Sequence, residues 1–217
     1  MLELKLGRSK EEPKQFLFIG AHCDDIEIGC GGTILKLAKE YSQAIIHWVV
    51  LSSDERRAAE AHRSSELFLA NVATKAVTIK AFRNGYFPYI GAEIKDYFEH
   101  LKHEVKPDVI FTHYGQDQHQ DHRVLSDLTW NTFRNHFILE FEIPKYDGGL
   151  SSPNFFFPLQ QSEYQRKVEI LLQCFESERS KSWFTKDTFM GLMRLRGIEC
   201  NAPSGYAEAY YCRKAIL

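Results

Sequence analysis

The sequence predicts an α/β fold in which helices cover both faces of a mostly parallel sheet. Short apolar runs alternate with longer amphipathic segments along the first 136 residues, the pattern typical of parallel strands joined by crossover helices. The chain has 217 residues, a length that suits one domain. Hydrophobic residues make up 44% of it and charged residues 26%, so it can form an ordinary apolar core.

Two strands and two helices are expected first. Residues 16–21 and 45–51 are short apolar runs, which indicates buried strands. Residues 33–41 place their apolar side chains on one helical stripe. Residues 55–71 are rich in alanine and in charged side chains, which predicts a second helix.

Two further strand–helix pairs follow along the chain. Residues 76–79 and 109–113 are predicted strands, and residues 92–105 and 123–135 are predicted helices. Pro107 stops the first of these helices because proline cannot continue it. The connections between the parallel strands are expected to be right-handed.

Beyond residue 136 the alternation becomes less regular. Residues 145–158 (KYDGGLSSPNFFFP) are rich in glycine, serine and proline and are predicted to form a loop. The other elements expected here are a strand at 137–143, helices at about 163–175 and 187–196, and a last strand near 206–213. We expect a single domain over residues 1–217, with its regular core over about residues 1–136.

Composition and charge argue against several classes of function. The formal net charge is -2, which gives no electrostatic basis for a nucleic-acid partner. No apolar run approaches the roughly 20 residues that a membrane-spanning helix needs, and residues 1–16 lack the apolar segment of a signal peptide. We therefore expect a cytoplasmic protein, and the sequence leaves a homo-oligomer open. Five cysteines without a C-x-x-C pair argue against a disulfide framework and against a cysteine zinc site.

Polar clusters follow two of the predicted strands. The first is HCDD at residues 22–25, and the second is YGQDQHQDHR at residues 114–123. In such sheets ligands bind outside the carboxyl ends of the strands, so the two clusters can meet there. Crowded, desolvated carboxylates are unfavourable unless a cation or a proton compensates them. These side chains therefore either face water or surround a cation or a bound proton.

Histidine and aspartate at threefold spacing suit a divalent metal. His22 and Asp25 are three residues apart, and so are His119 and His122, which puts each pair on one side of a turn. Imidazole and carboxylate together suit Zn²⁺ or another divalent first-row metal. A catalytic zinc site typically takes three protein ligands, and His22, Asp25 and His122 can supply them.

Three polar side chains of the same clusters remain outside this ligand set. They are Asp24, His119 and Asp121, and each is a candidate for acid–base catalysis. A bound metal can lower the pKa of its water from 15.7 to about 7. A free carboxylate beside that water can then take the proton as the water attacks.

Each cluster also has a purely structural interpretation. Asp24 or Asp25 can cap a helix that begins there, where the helix dipole favours acidic side chains. Residues 114–123 can form a polar surface loop. Two histidine-containing clusters at strand ends are hard to explain as solvated loops, so the metal site is the preferred interpretation.

A glycine-rich stretch suggests a different class of protein. GCGG at residues 29–32 is similar to a dinucleotide-binding turn, and Asp54 stands where a ribose-binding acid would lie. The glycines of that fingerprint should directly follow the strand, yet residues 22–25 occupy the turn. Close packing of a helix on a strand explains the glycines well.

The first polar cluster and the second both resemble motifs of a known family. AHCDDIEIGCGGT at residues 21–33 is similar to the AHPDDxExGxGGT signature of the LmbE-like, or PIG-L, deacetylases. DQHQDHR at residues 117–123 is similar to their D-x-H-x-D-H motif. Cys23 stands where the family usually has proline, and Ile26 replaces a common glutamate. Neither departure removes a ligand.

Three further elements support the resemblance. Residues 57–60 (RAAE) are similar to the family's R-x-x-E, and residues 196–197 and 206–210 are similar to its R-G and Y-A-E-A-F elements. The resemblance spans about residues 16–212. It implies a Rossmann-like three-layer sandwich and a zinc-dependent hydrolase that removes an N-acetyl group, usually from an N-acetylglucosamine unit.

Matching the motifs position by position implies a role for each residue. The family's metal ligands correspond to His22, Asp25 and His122. Asp24 corresponds to the general base, and His119 to the histidine that stabilises the oxyanion. Asp121 corresponds to the acid that favours protonation of His119. Arg57 corresponds to an arginine associated with substrate contact.

The expected partner is a small-molecule N-acetylated sugar or glycoconjugate. Residues 131–157 match no motif of the family and are expected to shape the acceptor pocket, as part of a substrate-shaping region over residues 137–217. The same site can serve a deacylase with a non-sugar N-acyl substrate. An alternative of another class is a dinucleotide-binding oxidoreductase, and a metal-binding protein without catalytic activity is disfavoured because Asp24 and His119 are both present.

Overall fold

The computed structural model describes residues 13–216. The N-terminal stretch interpreted above as lacking a signal peptide lies, up to residue 12, outside the described residues. The strands are β1 (Gln15–Gly20), β2 (Ile45–Val50), β3 (Thr74–Ile79), β4 (Val109–His113), β5 (Phe137–Phe141), β6 (Phe155–Pro158) and β7 (Ala207–Tyr211).

Six α-helices within residues 13–216 connect or cover these strands. They are α1 (Asp25–Glu40), α2 (Glu55–Phe68), α3 (Gly91–Glu104), α4 (Gln120–Thr132), α5 (Gln161–Cys174) and α6 (Lys186–Glu199), with short 3-10 helices at Phe87–Tyr89 and Glu176–Glu178. Within the same residues no helix combines the length and the apolar character needed to cross a bilayer.

The strands form one sheet in the order β3-β2-β1-β4-β5-β7-β6. The strands from β3 to β5 in this order pair in parallel, and β7 runs antiparallel to both β5 and β6. The predicted α/β fold with a mostly parallel sheet is therefore confirmed. The chain builds outward from β1 to β3 on one side and from β4 to β5 on the other. The gap above β1 and β4 is thus the topological switch point, where α/β sheets bind ligands.

Both faces of β1 are covered by helices. Phe16 and Phe18 pack with apolar side chains of α1 and α5, whereas Leu17 and Ile19 pack with those of α3 and α4. Successive side chains of a strand point to opposite faces, so a strand buried on both sides is apolar throughout. The run FLFIG was recognisable as a strand for this reason.

Two segments differ from the sequence prediction. Helix α1 begins at Asp25, eight residues before the predicted start at residue 33. Glycine disfavours a helix by about 1 kcal/mol relative to alanine, but the glycines of residues 29–32 let α1 pack closely on its neighbours. The predicted loop at 145–158 contains β6, whose residues pair with β7 some fifty positions away. The remaining boundaries shift by a few residues.

Candidate metal centre and active site

The two polar clusters meet at the switch point of the sheet. Because β1 and β4 are neighbouring parallel strands, the residues after Gly20 and those after His113 emerge at the same edge. The first cluster leads into α1 and the second leads into α4. Side chains from both clusters are thereby brought into contact.

Three candidate ligand atoms face one another there. His22 Nδ1 lies 3.2 Å from Asp25 Oδ2 and 3.2 Å from His122 Nε2, and Asp25 Oδ2 lies 3.5 Å from His122 Nε2. All three residues are buried. A tetrahedral zinc ion with bonds of about 2.0–2.1 Å holds its ligand atoms roughly 3.3–3.4 Å apart. This triangle of atoms, the metal triangle, therefore has the size that such an ion requires.

A second carboxylate holds each histidine of the metal triangle from behind. His22 Nε2 lies 3.2 Å from Asp121 Oδ2, and His122 Nδ1 lies 3.0 Å from Asp117 Oδ2. If Nδ1 of His22 and Nε2 of His122 bind a metal, each neutral ring carries its hydrogen on its other nitrogen, which faces Asp121 in His22 and Asp117 in His122. His22 Nδ1 and His122 Nε2 then keep their lone pairs for the triangle. Histidines that bind metals have this arrangement, so the donor set fits a metal ion.

The charges of the cluster place a proton on His22 in the metal-free protein. Burial disfavours a charge on His22, but the carboxylates of Asp25 and Asp121 outweigh it and raise the pKa of His22 to about 9. Burial and the neighbouring His113 hold the pKa of His122 well below its usual range. The pKa of Asp25 is also well below its usual range, because the surrounding histidines outweigh the effect of burial. A metal ion that binds here must displace the proton of His22.

Two further histidines adjoin the metal triangle. His113 Nε2 accepts a hydrogen bond from the backbone amide of Ala21 at 3.0 Å, and its ring stacks on that of His122 with 3.7 Å between centroids. Two other sets of ligand atoms also lie within 4.8 Å of one another, namely His22–His119–His122 and Asp25–His113–His122. The Ala21 amide already occupies the Nε2 lone pair of His113, and the Asp121 amide occupies the Nδ1 lone pair of His119, so the metal triangle is the better-formed ligand set.

Asp24 stands at the N-cap position of α1 without capping the helix. Its side chain makes no hydrogen bond to the helix backbone, and Oδ1 accepts instead from Arg57 Nη2 at 2.9 Å. The capping interpretation therefore does not account for Asp24. Burial raises the pKa of Asp24 to about 6, against the opposing effect of Arg57. A carboxyl group with such a pKa can exchange a proton near neutral pH.

Arg57 joins Asp24 to a second carboxylate. Its Nη2 lies 2.9 Å from Asp24 Oδ1 and 3.2 Å from Oε1 of the buried Glu178. Burial opposes the charge on Arg57, but the two carboxylates raise the pKa of the guanidinium above its usual value. Arg57 also lines the cleft described below. Arg57, which the family resemblance associates with substrate contact, is therefore bound in this structure to Asp24, the candidate general base.

His119 caps α4 with its side chain. Its Nδ1 accepts from the backbone amide of Asp121 at 3.2 Å, so a neutral ring carries its hydrogen on Nε2. Burial and nearby positive charges lower the pKa of His119. The Asp121 carboxylate is directed to His22 and accepts amide hydrogens from Gly85 at 2.7 Å and Phe87 at 3.1 Å. Asp121 still raises the pKa of His119, but burial and the positive charges outweigh it in this structure, so the role of Asp121 toward His119 stays a prediction.

The candidate residues open into a cleft with a volume of about 130 Å³. Its lining consists of His22, Asp24, Asp25, Arg57, Asn84, His119, His122, Ile143, Lys145, Lys181 and Trp183. Sequence reasoning missed Asp117, Asn84, Lys145, Lys181 and Trp183. The first lies inside a recognised motif and was detectable there, whereas the others come from segments without a motif.

Lys145 lies beside the outer carboxylate of His122. Its Nζ is 3.0 Å from Asp117 Oδ1, 3.1 Å from Asp117 Oδ2 and 2.8 Å from His122 Nδ1. Burial raises the pKa of Asp117, but His122 and Lys145 outweigh burial and lower it below the usual range. Together with Ile143, Lys145 brings the segment of residues 131–157 into the cleft lining.

The features that suggested a dinucleotide site have other roles. A Cβ atom on Gly29 would lie 2.4 Å from the ring of Phe141, and one on Gly32 would lie 2.4 Å from a methyl carbon of Leu159. These glycines are inside α1 and allow close packing. Asp54 caps α2 by accepting a hydrogen bond from the backbone amide of Arg57 at 2.8 Å.

Comparison with known families places these clusters within a recognised domain. A family model described as PIG-L: GlcNAc-PI de-N-acetylase matches residues 17–133. The matched range begins in β1 and ends just after α4, so it contains both polar clusters and the metal triangle.

Solved structures with the same fold have different described activities. A conserved protein from Thermus thermophilus aligns with a TM-score of 0.74 and 17% identity, over 93% of this chain and 95% of that one. An N,N′-diacetylchitobiose deacetylase from Pyrococcus horikoshii aligns with a TM-score of 0.66 and 21% identity, over 95% and 86%. A 4-carboxy-2-hydroxymuconate hydratase from Pseudomonas putida aligns with a TM-score of 0.67 and 16% identity, over 94% and 98%. At these identities the likeness establishes the fold alone.

Proposed function

The chain belongs to the PIG-L family, and from this premise we propose that it is a metal-dependent hydrolase that removes an N-acetyl group from an N-acetylglucosamine-type amino sugar. The observation that carries the proposal is the metal triangle of His22, Asp25 and His122, with the carboxylate of Asp24 beside it and outside the ligand set. A structural metal site does not require a carboxylate that lies beside the ligands without binding the metal and that exchanges a proton near neutral pH, whereas a catalytic site does.

The ligand set fits Zn²⁺ or another divalent first-row metal. His22, Asp25 and His122 would hold the ion, and Asp121 and Asp117 would orient the two histidines. When bound, the ion supplies a water of lowered pKa and polarises the amide carbonyl group. The nature of the ligands suits zinc because two imidazoles and one carboxylate leave a position for water.

Asp24 and His119 then perform the proton transfer and the charge stabilisation. Asp24 takes the proton from the attacking water as the new C–O bond forms, while Arg57 holds its carboxylate in place. His119 donates a hydrogen bond from Nε2–H to the carbonyl oxygen as that oxygen becomes negative. Asp24 passes its proton to the nitrogen as the C–N bond breaks, so the products are acetate and a free amine.

Two alternative functions can be compared with this proposal. A deacylase acting on a non-sugar N-acyl compound would use the same side chains in the same steps. A dinucleotide-binding oxidoreductase is disfavoured, because the glycines of residues 29–32 are occupied in helix packing and Asp54 in capping. NAD(P) should therefore cause no thermal stabilisation, whereas a chelator should lower the melting temperature and Zn²⁺ restore it.

The proposal is tested by elemental analysis of the purified protein together with a panel of acetamido compounds. The panel contains N-acetylglucosamine, N,N′-diacetylchitobiose and non-sugar acetamides. We expect a stoichiometric divalent metal and acetate release from the sugars, lost with a chelator and recovered on adding metal. A metal-loaded protein that releases acetate from no member of the panel would contradict the deacetylase reaction.

A further inference from the structure

One wall of the cleft is formed by residues 175–185, between α5 and α6, which we call the Trp183 wall. It contributes Lys181 and Trp183 to the cleft lining. Among the described residues that line the cleft, Trp183 and Ile143 are the two apolar ones, and all the others are charged or polar. An apolar face of a ligand therefore has few surfaces to bind, and the indole is the largest of them.

Helix α2 anchors the near end of the Trp183 wall through two residues one turn apart. Glu60 accepts hydrogen bonds from the amide of Ser177 at 2.9 Å and from its hydroxyl at 2.5 Å. Arg57 pairs with Glu178 at 3.2 Å. Glu60 and Glu178 are both buried, so these contacts are shielded from solvent. The R-x-x-E pair of α2 thus fixes this wall as well as the carboxylate of Asp24.

The far end of the wall is fixed as well. Phe184 is buried in the core, and the Oγ atom of Ser182 lies 3.2 Å from the hydroxyl of Tyr146 on the neighbouring loop. Trp183 lies between these two anchored residues, with its side chain half-buried and lining the cleft. The indole itself packs edge-on against the ring of the buried Phe184 with 5.6 Å between centroids, and Lys181 Nζ lies 5.6 Å from its ring centre. A side chain with such neighbours is partly preorganised and loses less conformational freedom on binding a ligand.

We propose that the indole of Trp183 is the platform on which the sugar ring of the substrate stacks, and that it makes the cleft selective for pyranosides over acyclic acetamides. This inference rests on the proposed function. A pyranose presents C–H groups on its face and hydroxyl groups around its edge. The C–H face is apolar and is buried favourably against an aromatic ring. The hydroxyl groups match the polar lining, which includes Asn84 and Lys145.

Fluorescence measures this contact without turnover. The chain has three tryptophans, and Trp48 is fully buried, so replacing Trp130 leaves Trp183 as the reporter at the cleft. The protein for the titration is the full chain, zinc-loaded, with Asp24→Asn and Trp130→Phe. The asparagine keeps the oxygen that accepts from Arg57. We expect a saturable change of emission on adding N,N′-diacetylchitobiose, and none when Trp183→Phe is added. A titration without a saturable change of emission would overturn the proposal that the sugar stacks on Trp183.

Kinetics give a second, independent readout. Trp183→Ala should raise KM for N,N′-diacetylchitobiose about tenfold and leave kcat within about threefold, the size expected for one aromatic contact. Trp183→Phe should have a smaller effect because a ring remains. The matched control is Trp130→Ala, and the metal content of every variant is measured. A fall in kcat with unchanged KM, or an equal effect on an acyclic acetamide such as N-acetylethanolamine, would overturn the proposal.

Failure of the proposed function would be distinguishable. A sugar-dependent fluorescence change without acetate release would reject the deacetylase reaction and retain the platform. Acetate release that does not depend on Trp183 would retain the reaction and reject the platform.

Discussion

Nδ1 of His22 and Nε2 of His122 lie 3.2 Å apart, although one hundred residues separate them in the chain. Two ring nitrogens at this distance must share either a hydrogen or a cation, because two facing lone pairs repel each other. Carboxylates hold the opposite nitrogens of both rings, which directs the two lone pairs to one point. The predictions below follow from this relationship and from its surroundings.

Replacing His122 should remove the metal. His122→Ala eliminates one of the three proposed protein ligands and removes the ring nitrogen that contacts Asp117 and Lys145. We expect metal affinity to fall at least about 100-fold, more than for the loss of an outer partner. Elemental analysis after dialysis at limiting metal measures this, with the exposed His103→Ala as control. An unchanged metal content would contradict the ligand set.

Replacing Asp24 should separate metal binding from turnover. Asp24→Asn preserves the shape of the side chain and the contact with Arg57 but cannot take a proton. We expect full metal content and a fall in kcat of about 100-fold to 10,000-fold. Acetate release is the measurement, and the exposed Asp96→Asn is the control. Asp24 would lose the role of general base if the variant kept full activity.

Replacing Asp117 should weaken the metal site without removing a ligand. The carboxylate of Asp117 lies 3.0 Å from Nδ1 of His122 and orients the ring, so Asp117→Asn should reduce metal affinity about 10- to 100-fold. Activity should recover partly at high metal concentration. Competition with a fluorescent chelator measures the affinity, and Asp127→Asn on the exposed side of α4 is the matched control. Equal affinities of the two variants would exclude Asp117 from this role.

Metal binding should release about one proton at pH 7. In the metal-free protein burial opposes the charge on His22, but Asp25 and Asp121 raise its pKa to about 9. The metal needs the neutral ring, so apparent affinity should rise about tenfold per pH unit below pH 9 and level off above it. Titration calorimetry in buffers of different ionisation enthalpy counts the protons. Binding without proton release at pH 7 would contradict this protonation state.

The raised pKa of His22 also makes the stability of the metal-free protein depend on pH. The pKa of His22 is higher in the folded state than the value of about 6.5 for an unfolded chain. Its stabilising contribution is therefore fully present below pH 6.5 and is lost as the pH rises through about 9. Urea unfolding of the chelator-treated protein at several pH values measures it, with His22→Gln as the comparison. If the stabilising contribution of His22 increased between pH 7 and pH 9, the raised pKa of His22 would be contradicted.

Glycine in α1 should be required for packing. A Cβ atom at Gly29 would meet the buried ring of Phe141 at 2.4 Å, so Gly29→Ala should lower the free energy of unfolding by about 1–3 kcal/mol. Gly191 is also helical but has open space around it, so Gly191→Ala should raise stability by about 0.5–1 kcal/mol. Urea unfolding at equal metal content compares the two. Similar effects of both substitutions would contradict the close-packing explanation.

Local signals carried much of the information about this protein. The apolar run around Phe18 indicated a buried strand because β1 is covered on both faces. The residues of the metal triangle could be proposed as ligands because ligand type and threefold spacing are properties of short stretches. Asp117 lies within the same motif, and its contact with His122 could have been predicted from the rule that a metal-binding histidine has an outer carboxylate.

Contacts between distant segments decided the rest. Strand β6 exists because its residues pair with β7, and the start of α1 depends on rings that approach its glycines. No local pattern indicates that Arg57 would bridge Asp24 and Glu178, or that Asp121 would turn to His22 instead of His119.

The sequence by itself therefore determined the fold class, the two polar clusters and the candidate ligand residues, because periodicity, polarity and donor type can be read from neighbouring residues. The tertiary structure alone decided which nitrogen of each histidine faces the metal triangle, which carboxylate stands behind it and which aromatic ring lines the cleft. Those outcomes depend on distances of a few ångströms between segments that are far apart in the chain, and a single sequence does not encode them in any local pattern.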